Sequence, residues 1–330
     1  LQLLELFSTT VDQLRAKSGI PLPKSDLILR RGATITNPHP HSIIFINKLT
    51  PEYLKAVKSV SESLILIPEK TNIDQDISGS NTVFACGNPR LTYAVLMSTA
   101  LDTMAPRAEE YIQIDGAVVS RSATISDNVR LEPGVFVDHD VIIEEGVQLL
   151  SGVSVRSYVH IGENTIIGEN TVIGSDGFGF ERDALGNPIH LPHLGGVIIG
   201  SNVKIGSITA VCTGTIDPTV IEDDVKIDNL VHVAHNCKVG RGTLITACAE
   251  ISGSVTIGEN VWIGPNASIL QGLEIGDQST VGLGAVVIKS VPNGEIVAGN
   301  PAKPTREISL YNKAISRIVR QEENRSEGHD

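Results

Sequence analysis

A β-solenoid is the fold class this sequence predicts, and three regularities predict it. An aliphatic residue recurs every six positions, with Val119, Ile125, Leu131, Val137, Ile143, Leu149, Val155, Ile161, Ile167 and Ile173 in one unbroken register. A small or β-branched residue stands two places before most of them, as at Val129, Val135, Val141, Val147, Val153 and Val159. Glycine often follows, as at Gly162, Gly168, Gly200, Gly206, Gly258 and Gly264. A strand has period two and a helix 3.6, so neither explains a period of six. Hexapeptide repeats mark parallel β-helices, in which each repeat supplies one short strand and a corner. The aliphatic residue then faces the lumen, its small neighbour fills the space beside it, and glycine is expected to permit the turn. Three hexads complete a coil of about eighteen residues, so residues that far apart stack about 4.8 Å from one another. About eight coils are expected, a prism roughly 40 Å long.

Residues 1–106 lack this rhythm and read as a small N-terminal α/β domain. Leu3, Leu4, Phe7, Val11 and Leu14 predict a helix over about 2–17, ended near Gly19 and Pro21. Strands are expected at 42–47, 63–69 and 82–86, with a helix around 51–60 and another in the segment after 88. Such a unit is expected to cap the start of the solenoid, because an open coil end exposes unpaired strand edges.

The solenoid domain occupies 107–304. Its phase is interrupted twice, and each interruption predicts a loop leaving the prism. The first runs from 174 to about 196, reading GSDGFGFERDALGNPIHLPHLGG, before Ile199, Ile205 and Val211 resume the pattern. The second surrounds Asp217-Pro218, after which Ile221 through Val287 run in register. Loops held by a rigid scaffold are where function concentrates. Residues 305–330 form a C-terminal helix and tail, with Ile308, Tyr311, Ile315, Ile318 and Val319 as the apolar stripe of the helix.

Composition excludes several classes. A net charge of −12 leaves no basic excess to replace counterions on phosphates, so nucleic acid is not an expected partner. Cys86, Cys212, Cys237 and Cys248 show no paired spacing, and a reducing compartment fits. Cys237 falls at an inward position and is expected to be a buried thiol. No apolar run reaches the ~20 residues that span a bilayer, and the acidic N-terminus is unlike a secretion signal. A cytoplasmic protein is expected.

His235, in KIDNLVHVAHNCKVG, is the sharpest candidate for chemistry. It lies two places after inward Val233, hence at an outward corner. Gly253 lies eighteen residues later, at the same corner of the next coil. A base beside a glycine whose N–H is open to a ligand suits acyl transfer to an amine: the imidazole takes the proton and the N–H steadies the oxyanion. No metal is expected, since His232 and His235 supply only two of the three ligands a metal site needs.

Several motifs carry a resemblance. IGSDGFGF (173–180), LPHLGGVIIG (191–200), IDNLVHVAHN (227–236), ISGS (251–254) and NPRLTYA (88–94) together resemble the UDP-3-O-acylglucosamine N-acyltransferases of lipid A biosynthesis, which are hexapeptide-repeat enzymes. The resemblance implies a left-handed parallel β-helix, a homotrimer with clefts between adjacent prisms, and a UDP-linked amino sugar as acceptor. It implies His235 as catalytic base and Gly253 as oxyanion donor. It implies nucleotide recognition by the first domain, through Phe45, Tyr53 and Asn47. Asp176, Phe178 and Phe180 of the DGFGF loop, with His193 beyond it, border the sugar site in such a reading. Asp228, Asn229, His232, Asn236 and Gln271 complete the expected substrate-binding set, Asp228 either as a carboxylate that orients an imidazole across a subunit boundary or as a solvated turn carboxylate. No bound cofactor is implied, only an acyl thioester co-substrate.

The sequence departs from the family at Gly272, which stands beside Gln271 where the family carries a second histidine. VWIGPNASILQG (261–272) and GAVVIKSVPNGEIVAGNPAKP (284–304) resemble instead the hexapeptide acetyltransferases that use acetyl-coenzyme A. The donor is therefore either an acyl carrier protein thioester or a coenzyme A thioester. Arg306, Lys313, Arg317, Arg320 and Arg325 concentrate positive charge in the last helix, which would suit an acidic carrier or simply face solvent. The second reading is an acetyl-coenzyme A-dependent N-acetyltransferase of a nucleotide-linked amino sugar for surface polysaccharide, and a non-catalytic binding solenoid is the third.

Overall fold

The computed structural model describes residues 6–71, 79–104, 108–299 and 305–326. Three long sheets run the length of a parallel β-solenoid, of nine, ten and eight strands. Strands eighteen apart in sequence are neighbours: Val137 pairs with Val155, and Val233 with Ile251. The expected lumen residues form one continuous core, in which Val137, Val155, Ile167, Ile173, Val211, Val233 and Ile251 have no exposed surface. Their small partners Val135, Val141, Val147, Val153 and Val159 are buried beside them. Where threonine takes that place its hydroxyl is satisfied: Thr165 Oγ1 donates to the Gly200 carbonyl at 2.9 Å and accepts from Val203 N–H at 3.1 Å.

The corners work differently from the sequence expectation. The left-handed backbone falls three residues after most lumen residues, as at Asn164, Asn170, Asn202, Asn236, Asn260 and Asn266, or at glycines such as Gly146 and Gly242. Asn and Gly tolerate this conformation best. Apart from Gly174, at φ 84°, the glycines that follow the lumen residue have ordinary φ values and answer to coil stacking instead. A Cβ on Gly162 would lie 2.6 Å from the Gly200 carbonyl carbon, and one on Gly240 would lie 2.5 Å from that of Gly258. Coils about 4.8 Å apart leave no room for a methyl at that position.

The N-terminal part contains a four-stranded parallel sheet, Arg31–Gly32, Ser42–Phe45, Leu64–Pro68 and Thr82–Cys86, in that order. Helix α1 spans Val11–Ser18, shorter than the apolar spacing predicts. Thr10 starts it with a capping box: its hydroxyl accepts from Gln13 N–H, and the Gln13 side chain takes the Thr10 N–H at 2.8 Å. Gly19, at φ 72°, ends it. Leu3 and Leu4 lie outside the described residues. Helix α2 covers Pro51–Val57 and α3 covers Pro89–Asp102.

This unit docks on the side of the prism, at its two excursions, and does not cover the first coil. Leu191 is buried in the core of α1 and α3, and Leu194 and Ile216 pack against the same core. Asp217 accepts hydrogen bonds from Thr34 Oγ1 at 2.7 Å and Asn37 Nδ2 at 3.0 Å. Arg90 pairs with Glu181 at 2.8 Å. On one of its three faces the first coil is covered instead by Tyr111–Ile114, which pairs antiparallel with Ala117–Ser120. The apolar face of α3 needs partners, and the excursions supply them.

Helix α4, Thr305–Ser326, follows the solenoid, and Ile308, Tyr311, Ile315, Ile318 and Val319 are exposed on it. Among the described residues, no helix is long and apolar enough to cross a membrane.

Candidate active site

The docking of the sheet against the excursions leaves a cleft of about 510 Å³, within the range of small-molecule sites. The solenoid lines it with His235, Asn236, Gly253, Gln271 and Gly272, and the sheet with Phe45 and Asn47. Thus six expected site residues, from two separate parts of the chain, meet around one space. Gln271 and Gly272 are exposed there, so the corner where the family carries its second histidine faces the cleft.

His235 sits at the corner after the strand His232–Val233, half-buried. Its orientation is set by its neighbour. Asn236 Oδ1 lies 2.8 Å from His235 Nδ1 and also accepts from Thr215 N–H at 3.3 Å and Thr215 Oγ1 at 2.7 Å. The Thr215 N–H can only donate, so this atom of Asn236 is the oxygen. In the neutral ring of His235, Nδ1 therefore carries the proton and Nε2 the lone pair. Asn236 holds its position with a left-handed backbone, φ 61°, and through its N–H on Thr219 Oγ1 at 2.9 Å.

Gly253 stacks one coil above. A Cβ on it would lie 2.7 Å from His235 Cε1 and 2.8 Å from Nε2, so only glycine admits the imidazole in this place. Its φ is ordinary, and the requirement is one of space. Among the described residues, no backbone acceptor takes the Gly253 N–H, whereas Ser254 N–H is bonded to the His235 carbonyl at 2.9 Å.

The first excursion closes over the other face of the His235 ring. Its hairpin pairs Phe180–Arg182 with Pro188–His190. A line of ring contacts runs from Phe178 to Phe180 at 5.0 Å, to His190 at 5.3 Å, to His193 at 5.9 Å and to His235 at 4.9 Å. Phe178 and Phe180 are exposed on the hairpin and do not line the cleft. Gly177 is wedged between His193 and His235: its Cβ would come 2.6 Å from one ring and 2.9 Å from the Cβ of the other. Burial pushes the pKa of His193 down to about 4, and the neighbouring His235 and His190 act in the same direction against the pull of Asp176. His193 is therefore a neutral ring at neutral pH.

Other expected residues lie elsewhere. Tyr53 packs on the far face of the sheet, in the cluster of Ile44, Ile65 and Val57, while Phe45 lies on the face of Tyr93, 4.9 Å from that ring. Ile44 and Phe45 point to opposite faces of their strand, and Tyr53, on α2, packs on the face of Ile44, so the two aromatics do not meet. Asp228 and Asn229 sit at a different corner, where Asn229 Oδ1 accepts from Ser207 N–H at 2.7 Å and Asp228 Oδ1 from Asn229 N–H at 2.7 Å. His232 faces out of its strand, between Ala210 and Glu250. None of these four lines the cleft of this chain. Conversely, Thr34, Arg90 and Thr215 line it without having been singled out. Arg90 lies within the NPRLTYA motif and Thr215 at the second phase break, which are the signals that could have found them.

The bacterial transferase hexapeptide model (six repeats) matches residues 140–175, 218–253 and 254–289. Over 133 residues the chain is 42% identical to a UDP-3-O-acylglucosamine N-acyltransferase of Caulobacter sp. (strain K31), covering 39% of this chain and 38% of that protein. Over 127 residues it is 42% identical to UDP-3-O-acylglucosamine N-acyltransferase 2 of Legionella pneumophila (strain Lens), covering 38% and 37%. The match therefore spans less than half the length of these relatives. Among solved structures, a UDP-N-acetylglucosamine acyltransferase of Francisella novicida superposes with a TM-score of 0.52 at 26% identity, covering 56% of this chain and 65% of that one. That of Bacteroides fragilis 9343 gives 0.53 at 22% identity, covering 58% and 72%, and shows the shared fold.

Proposed function

We propose that this chain, a solenoid of bacterial transferase hexapeptide repeats of which somewhat over a third resembles UDP-3-O-acylglucosamine N-acyltransferases, is an N-acyltransferase that moves an acyl group from a thioester to the amine of a UDP-linked amino sugar. One observation carries the reading: the lone pair of His235 Nε2 opens onto the bare corner of Gly253, inside a cleft shared with Phe45 and Asn47.

In the proposed reaction the amine nitrogen attacks the thioester carbonyl, and Nε2 of His235 takes its proton. The Gly253 N–H donates to the oxyanion of the tetrahedral intermediate. Collapse breaks the carbon–sulfur bond, the imidazolium returns the proton to the departing thiolate, and an amide and a free thiol result. Asn236 holds the tautomer that makes Nε2 the base and steadies the imidazolium. Phe45 and Asn47 suit an aromatic face and a polar group for the uracil end. A thioester is already activated, so the mechanism calls for no covalent enzyme intermediate. The assembly in this reading is a homotrimer, with Asp228, Asn229 and His232 facing a neighbouring prism.

The donor in this reading is an acyl carrier protein thioester. Gly272, in place of a second histidine on the cleft, favours a second reading in which the donor is acetyl-coenzyme A. A panel of UDP-amino sugars offered with either class of thioester, with products weighed by mass spectrometry, separates them. Amide formation should fall at least about 100-fold in His235→Ala while the protein keeps its circular dichroism and oligomeric state. Undiminished transfer by that variant would remove the mechanism.

A further inference from the structure

Outside the acyl-transfer geometry, the first excursion assembles a second constellation. Asp176 stands where the chain leaves the solenoid, after the strand Val172–Ser175, and His190 ends the returning hairpin strand. His193 follows three residues on, where the chain turns back to the prism. His190 Nε2 lies 3.1 Å from Asp176 Oδ2, and His193 Nδ1 lies 3.3 Å from Asp176 Oδ1. One donor atom from each residue falls within 4.8 Å of the other two.

We propose that Asp176, His190 and His193 form a binding site for a divalent transition-metal ion of the zinc type, with one coordination position open. Tetrahedral bonds of about 2.0–2.1 Å place neighbouring donors roughly 3.3 Å apart. The two imidazoles lie 3.1 and 3.3 Å from different oxygens of the one carboxylate, so both oxygens face the space an ion would fill. Two imidazoles and one carboxylate suit zinc or its transition-metal neighbours, whereas calcium and magnesium favour all-oxygen shells.

The state of His193 is the second, independent observation. Its side chain has no exposed surface, and neither ring nitrogen makes a hydrogen bond. A buried polar ring left in that condition is costly. Asp176 is near Nδ1 but off the direction a hydrogen bond needs. In a tetrahedral site two donors stand about 35° off each other's metal bonds, so the misalignment fits an ion between them. The loop is built to admit this ring: a Cβ on Gly177 or Gly179 would come 2.6 Å from it.

A cavity of about 270 Å³, lined by Asp176, His190 and His193 with Arg156 and Tyr158, gives access. Arg156, the cation sharing that cavity, is directed to Asp138 at 3.5 Å. Asp176 and His190 are partly exposed, with side chains 59% and 40% accessible, so water can occupy the open position. The spacing of His190 and His193 alone did not reveal this site, because Asp176 joins them only when the hairpin closes.

The test uses the full chain, stripped with a chelator and titrated with Co²⁺, then with Zn²⁺. One equivalent of Co²⁺ per chain should give the strong visible absorption of a tetrahedral site, and Zn²⁺ should abolish it. His190→Ala and Asp176→Asn, both at exposed positions, should each raise the dissociation constant at least about tenfold. His193→Gln should do the same if its circular dichroism is native. Absence of stoichiometric uptake by the unaltered protein would overturn the proposal, and so would uptake unchanged in His190→Ala and Asp176→Asn. No acyl transfer enters the readout, so the site stands or falls apart from the proposed activity.

Discussion

The imidazole of His235 rests on the bare Cα of Gly253, eighteen residues later and one coil above, with 2.7 Å between Cε1 and the place a methyl group would take. Two consequences follow for Gly253→Ala. The methyl must push the ring aside, and displacement of a catalytic group by about 1 Å costs on the order of 100-fold. The corner faces a cleft, so the ring has somewhere to go, and folding should be little affected. We expect kcat to fall about 10–100-fold with Tm nearly unchanged. A variant with full kcat would show that the two residues do not act together.

In the proposed mechanism Asn236 fixes which nitrogen of His235 would act as the base, through Oδ1 on Nδ1. Its left-handed backbone, φ 61°, is one that glycine adopts freely. Asn236→Gly therefore removes the hydrogen bond and spares the turn. A lost hydrogen bond of about 1 kcal/mol corresponds to roughly a fivefold drop in kcat. Asn236→Asp, which keeps an acceptor at the same place, should retain more activity than Asn236→Gly. The reverse order would argue against orientation of the ring as the role of Asn236.

Phe45 and Tyr53 lie on opposite faces of the N-terminal sheet, and only Phe45 reaches the cleft. Base–aromatic stacking is worth about 1–3 kcal/mol, so Phe45→Ala should raise KM for a UDP-sugar about tenfold or more. Tyr53→Ala should leave KM where it was. Steady-state kinetics of the two variants decide between the faces, and an effect confined to Tyr53→Ala would reverse the assignment.

The thiols should react unequally. Burial pushes the pKa of Cys237 up to about 12, and raises those of Cys212 and Cys86. Because only the thiolate attacks, these groups stay protonated and inert through pH 8. Cys237 would ionise only as the pH approaches 12. Cys248 is exposed and should be alkylated first. Peptide mass mapping after brief iodoacetamide treatment at pH 8 checks this, and rapid labelling of Cys237 would mean the lumen opens.

Much of the molecule was legible because the solenoid is a one-dimensional repeat. Each lumen residue from Val137 to Val287 follows from the six-residue period, and the stacking of Val233 on Ile251 is simple counting. His235 and Gly253 were found together for the same reason: a period that places one corner places the next. The glycine role was misread, since periodicity reports where glycines fall and not whether φ or crowding demands them. At Gly162 it is the neighbouring coil that forbids a side chain.

What the sequence determined by itself was the order along the prism, because hydrophobic burial repeats with the chain. Only the tertiary structure decided where the non-repeating parts fold back. Leu191 and Asp217 draw the N-terminal sheet to the side of the prism, which brings Phe45 to His235 and leaves Tyr53 behind. The same closure sets Asp176 against His190 and His193. Contacts between segments without a common period depend on the shapes that meet, and no spacing in the chain encodes them.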